Sequence, residues 1–123
     1  MPDQHLLFDA YDVAVVTLES LQAAARYDRA NLRAKLSRRL RLGFPANVEP
    51  DPYLMRALGE TCLATLEDDH DAEQALALFV REGVRTEDEA IEALVDWTAR
   101  RERSRLGRLR QLRQLRASKL SSA

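Results

Sequence analysis

The residues able to do bond-making chemistry are few and scattered. There are two histidines, His5 and His70, one cysteine, Cys62, and four glycines that stand apart from one another. Neither histidine neighbours a nucleophile it could activate, and no glycine run is present to cradle a phosphate. DDHDAE, residues 68–73, gathers four carboxylates and a histidine in six positions. It lacks the central glycine and the twelve-residue ligand spacing of a calcium loop, and no His or Cys partner lies at zinc spacing. The stretch therefore reads as an acidic turn that supplies helix caps. Cys62 falls on the apolar side of its helical pattern and reads as a small core residue. The chain reads as non-enzymatic, with no cofactor and no metal.

The charge pattern carries more information than the candidate chemistry. The net charge of −1 hides four blocks: −4 over residues 1–28, +6 over 29–43, −11 over 44–99 and +8 over 100–123. RANLRAKLSRRLRLG contains no acid, and after Ala99 only Glu102 stands against nine bases. Seventeen of the nineteen bases are arginine, whose planar fork suits bidentate contact with carboxylate or phosphate. Blocks of this kind attract acidic proteins, phosphates or anionic lipid heads.

RLGRLRQLRQLR, residues 105–116, repeats leucine at every third position. At about 100° per residue, Leu106, Leu109, Leu112 and Leu115 step back around a helix and cover about half of it. Ile91, Leu94, Val95 and Thr98 occupy much of the same sector, which Arg101, Glu102 and Arg105 interrupt. The pattern predicts a core-facing helix that finishes near Arg100 and a helical extension with its own apolar face. The chain accordingly divides into a helical bundle, residues 1–105, and a basic Leu/Arg extension with a short tail, residues 106–123.

The elements that position these features are all helical. Leu7, Tyr11, Ala14, Leu18, Leu21 and Ala25 follow three-four spacing, and the stripe is re-phased through Leu32, Leu36 and Leu40. A break near Asp28, with Asp28 or Asn31 as cap, accounts for the slip better than one rotating helix. GFPANVEPDP is a loop entered at Gly43, and Asp51–Pro52 opens a helix through Leu54, Leu58, Cys62 and Leu66. Asp71 with Gln74 is read as a capping box for a shorter helix closed by Gly83, and Thr86 with Glu89 as another for the last helix. The fold class is all-α, a compact bundle of four or five helices with an extended basic C-terminal helix. No apolar run approaches the roughly 18 residues needed to span a bilayer, and the acids near the start do not suit a secretory leader. A cytoplasmic setting follows.

REGVRTEDEAIEALVDW, residues 81–97, resembles the turn and second helix of ribbon-helix-helix antitoxins and repressors, where a glycine turn and a Ser/Thr cap precede an A-I-x-x-A-L helix. That family needs a strand ahead of its first helix, and EDDHDAEQ stands in that place here. No family function or residue assignment is carried over.

Two functions fit this pattern. The first is a protein-interaction module, an adaptor, inhibitor or assembly subunit, that docks Leu106, Leu109, Leu112 and Leu115 on a protein partner or a second copy. The alternative is a nucleic-acid-binding subunit contacting the phosphate backbone through segments 29–43 and 100–116. Its contacts would be Arg33, Lys35, Arg38, Arg39 and Arg41 with Arg108, Arg110, Arg113 and Arg116. A membrane partner fits least, because the extension has no Trp or Phe to anchor in an interface.

Overall fold

A computed structural model describes residues 9–121, with the helical backbone alone for residues 105–110 and 117–121. Five helices follow one another: α1 (Ala10–Tyr27), α2 (Arg29–Leu42), α3 (Pro52–Glu67), α4 (Asp69–Glu82) and α5 (Glu87–Ser121). The described residues contain no strand. α1 packs against all four other helices, and α3 and α5 each do the same. Leu21, Leu36, Leu63, Phe79 and Leu94, one side chain from each helix, are fully buried together. The fold is the all-α bundle that the periodicities imply.

Helix boundaries follow local chemistry. Asp9 caps α1 by accepting from the Asp12 amide at 2.9 Å, and Asp51 caps α3 by accepting from Tyr53 at 2.9 Å, with Pro52 in the first turn. The α1–α2 break falls at Asp28, whose amide closes α1 on the Ala24 carbonyl at 2.8 Å. Its carboxylate accepts from the Asn31 side chain at 3.0 Å instead of capping the α2 backbone. Gly83 ends α4 at φ 64°, a left-handed conformation that suits glycine. Thr86 and Glu89 make the expected box, Thr86 Oγ1 accepting from the Glu89 amide and donating to its carboxylate, both at 3.1 Å.

The expected α2 cap is thus corrected, and three further expectations are corrected. The cap of α4 is Asp68, which accepts from the Asp71 amide at 2.9 Å, and Gln74 turns to His70 at 3.3 Å. Asp71 therefore sits in the first turn, where its charge favours the positive end of the helix. Tyr11, placed on the apolar stripe, is 56% exposed because the first turn of α1 precedes its contact with the core. Leu54 is 38% exposed at the start of α3, on the edge of a cavity described below. Leu7 and His5 lie outside the described residues. EDDHDAEQ, the place of the strand in the ribbon-helix-helix pattern, forms the end of α3 and the first turns of α4.

Burial separates the side chains that hold the bundle from those that do not. Phe79→Ala should cost about 3–5 kcal/mol, the range for a buried aromatic emptied to a cavity. Tyr53→Ala, at an 85% exposed position, should stay within about 0.5 kcal/mol. Urea unfolding followed by circular dichroism measures both, and equal costs would contradict the placement of the core.

Candidate functional site

α5 does two different things along its length. Ala90, Ile91, Leu94, Val95 and Thr98 are buried, Ala99 and Glu102 are half-buried, and residues 111–116 are exposed without exception. The helix runs unbroken through this change for 35 residues, about 52 Å at 1.5 Å per residue. Its negative first turn, Glu87, Asp88 and Glu89, complements the positive end of the helix dipole. At the root of the exposed part the arginines fold onto their own helix. The Arg101 guanidinium lies 4.8 Å from the Trp97 ring centroid, and Arg100 donates to the Asp96 carbonyl at 3.3 Å. Trp97 is thus half-buried with a cation on its face.

Of the leucines predicted to dock, Leu112 and Leu115 are 62% and 61% exposed. Arg113 and Arg116 are exposed beside them. The side chains of Leu106, Leu109, Arg108 and Arg110 lie outside those described.

The basic block on α2 has a different environment. Arg33 pairs with Glu60 at 2.7 Å, and Arg29 reaches Glu60 at 3.5 Å and also bonds Glu67. Arg39 spans to α5, meeting Asp96 at 3.2 Å and Glu92 at 3.5 Å. Arg41 faces Glu49 at 3.6 Å. Lys35 and Arg38 make no ion pair among the described residues. Four of the six bases of the α2 block are therefore answered by carboxylates of the same chain, and these pairs engage five of the fourteen acids in residues 44–99. Such pairs, with both members partly in water, contribute roughly 0.2–1 kcal/mol each. They can be exchanged for a partner's charges at small cost.

The structure brings Arg33, Arg38 and Arg41 together along one groove between α2 and α3, and turns Arg39 towards α5. Among the described residues no ion pair joins Arg113 or Arg116 to them. A second cavity of about 320 Å³ opens where α2, α3 and α5 meet. Leu40, Phe44, Leu54, Leu58 and Val95 give it apolar walls, with Glu102 and Arg103 at the root of the extension on its rim. Arg56, Phe44 and Gly59 were not singled out from the sequence as surface-forming residues. Gly59, alone inside a helix that otherwise has none, was the available signal.

Asp68 is spent as a cap, and among the described residues no group of three or more His, Cys, Asp or Glu is placed to hold a metal ion. No helix among them is long and apolar enough to cross a membrane. Cys62 is a buried free thiol. Comparison with known proteins finds no matching protein-family model, no similar curated protein and no similar solved structure.

Burial pushes the Cys62 thiol up from 9.0 to about 11, against the opposing influence of the Thr98 hydroxyl. That hydroxyl is itself buried with no partner in hydrogen-bond geometry. The folded state thus holds the thiol proton more tightly than the unfolded chain does. Stability owed to this group is intact below about pH 9 and falls as the pH rises towards 11. The stability difference between the native chain and Cys62→Ala should change by about 2–3 kcal/mol across that window and stay flat from pH 6 to 8. Urea unfolding at stepped pH measures it, and a flat difference through pH 11 would contradict the burial.

Proposed function

We propose that the chain is a non-enzymatic protein-interaction module, an adaptor, inhibitor or assembly subunit, whose docking element is α5 beyond Arg103. The observation that supports this reading is the exposure of Leu112 and Leu115 on a helix that continues after its core contacts end. An isolated helix of this length is marginal in water because nucleation is costly, but an extension of a helix already anchored in a core is spared that cost. Burying a leucine side chain is worth about 1.5–3 kcal/mol, so two presented on a preformed helix are anchors of useful strength. The surrounding arginines steer the approach of an acidic partner and stay at the rim once it has docked. Either a second copy or another protein satisfies this geometry. The single thiol suits a reducing, cytoplasmic setting.

The rival use, a phosphate-binding ridge made of both basic blocks, draws less support. That ridge needs both blocks on one face, whereas Arg39 is turned from Arg33, Arg38 and Arg41 towards Asp96 and Glu92 of α5, and it leaves the exposed Leu112 and Leu115 without a use.

A photo-crosslinking residue placed at position 115 of the full chain, expressed in cells, tests the reading. The expected result is a discrete protein adduct, containing either a second copy or another polypeptide, that resists nuclease and is weak when the crosslinker stands at Gln114. Adducts shortened by nuclease, or equal and diffuse labelling from both positions, would overturn it.

A further inference from the structure

We infer that the groove between α2 and α3 is a second docking site, shaped for an acidic amphipathic segment of a protein partner. The groove is open to solvent, with a volume of about 700 Å³ that exceeds those of the others described. Its α2 wall carries Arg33, Arg38 and Arg41, steps of five and three residues that spread them over about 140° of the helix, and α3 adds Arg56. Between these cations the floor is small and mostly apolar, formed by Ala34, Met55 and Gly59 with the prolines that lead into α3, and Ser37 adds one hydroxyl. One carboxylate, Glu49, lines it, paired only with Arg41 across 3.6 Å and almost wholly exposed. Arg38 and Arg56 make no ion pair among the described residues.

Gly59 is the independent sign that something approaches this floor. Glycine in a helix interior is destabilising relative to alanine, and such a residue usually has a packing reason. No such reason exists within the chain. Gly59 is buried in α3, yet a Cβ built on it would meet nothing within 4 Å. The missing methyl leaves a hollow that the chain does not fill.

The chemistry of the walls selects the occupant. Guanidinium groups flanking an apolar floor match carboxylates flanking apolar side chains, the pattern of an acidic amphipathic helix laid in a groove. A nucleic-acid strand would find cations here, but no aromatic ring lines the groove on which a base could stack. This site is separate from the exposed leucines of α5, so the two readings stand or fall independently.

A displayed library of random 16-residue peptides, selected on the immobilised full chain, tests the proposal. The selected peptides are labelled and measured by fluorescence anisotropy. They should be rich in Asp and Glu flanking Leu, Met or Phe. Their affinity should fall at least tenfold in Gly59→Leu and in Arg38→Gln/Arg56→Gln, and stay unchanged in Leu112→Gln/Leu115→Gln. Gly59→Ala should raise the melting temperature while weakening binding, a combination that damage to the fold cannot produce. Selected peptides without acidic residues, or binding indifferent to both the Gly59 and the arginine substitutions, would overturn the site. Tighter binding of labelled single-stranded RNA or DNA that the same substitutions weaken would overturn the occupant in favour of a polyphosphate chain.

Discussion

The burial of one half of α5 is the constraint from which the rest of the molecule follows. Ile91, Leu94 and Val95 lock that half among the other four helices, and the backbone hydrogen bonding of an established helix then carries the chain outward without a new nucleation step. An element that would fray as a free peptide is held as a rod because its root is fixed in a core. Position and direction of Leu112 and Leu115 are therefore set by packing some five turns away. The same anchoring explains the two-part composition of α5. Its first turns need acids to suit the helix dipole and to meet Arg39, whereas beyond the core no packing demand limits the arginines.

The basic block of α2 finds most of its counter-charges within the chain. The +6 of residues 29–43 and the −11 of residues 44–99 lie on helices that touch, α2 against α3 and α5. Arginines of α2 and carboxylates of α3 and α5 meet across those contacts at 2.7–3.5 Å. Arg113 and Arg116 of the extension are exposed and make no ion pair among the described residues. A net charge near zero thus conceals an acidic body, −9 over residues 1–99, and a basic arm, +8 over residues 100–123, and those two parts respond differently to salt. Exposed charges on the arm are screened over about 8–10 Å, while pairs between packed helices are screened less.

Much of the fold was legible because it rests on short-range rules. The caps at Asp51 and Thr86, the stop at Gly83 and the slip of phase at Asp28 are each decided by a few neighbouring residues. The cap of α4 was misread for a related reason. DDHD offers three aspartates within one turn, and Gln74 three residues after Asp71 imitates a box, but continuous burial of Ala72 and Ala75 requires the helix to begin earlier. Buried α5 residues were also legible, since their period matches the helix. The α2–α3 groove and the cavity beside Phe44 were not. They depend on which helices become neighbours, and no local pattern in the sequence encodes that adjacency.

Two features of this chain oppose its own stability, and they lie on different surfaces. Leucines 112 and 115 leave apolar area in water that a solubility-driven surface would have made polar, and Gly59 surrenders helix propensity where alanine would fit. Isolated examples of either are ordinary in globular proteins. Here each coincides with arginines that a partner could pair and with space that the chain leaves open. A phosphate ridge would require the arginines alone and would gain nothing from the exposed leucines or from the hollow at Gly59. The proposed docking reading draws on all three features, whereas electrostatics by itself draws only on the arginines.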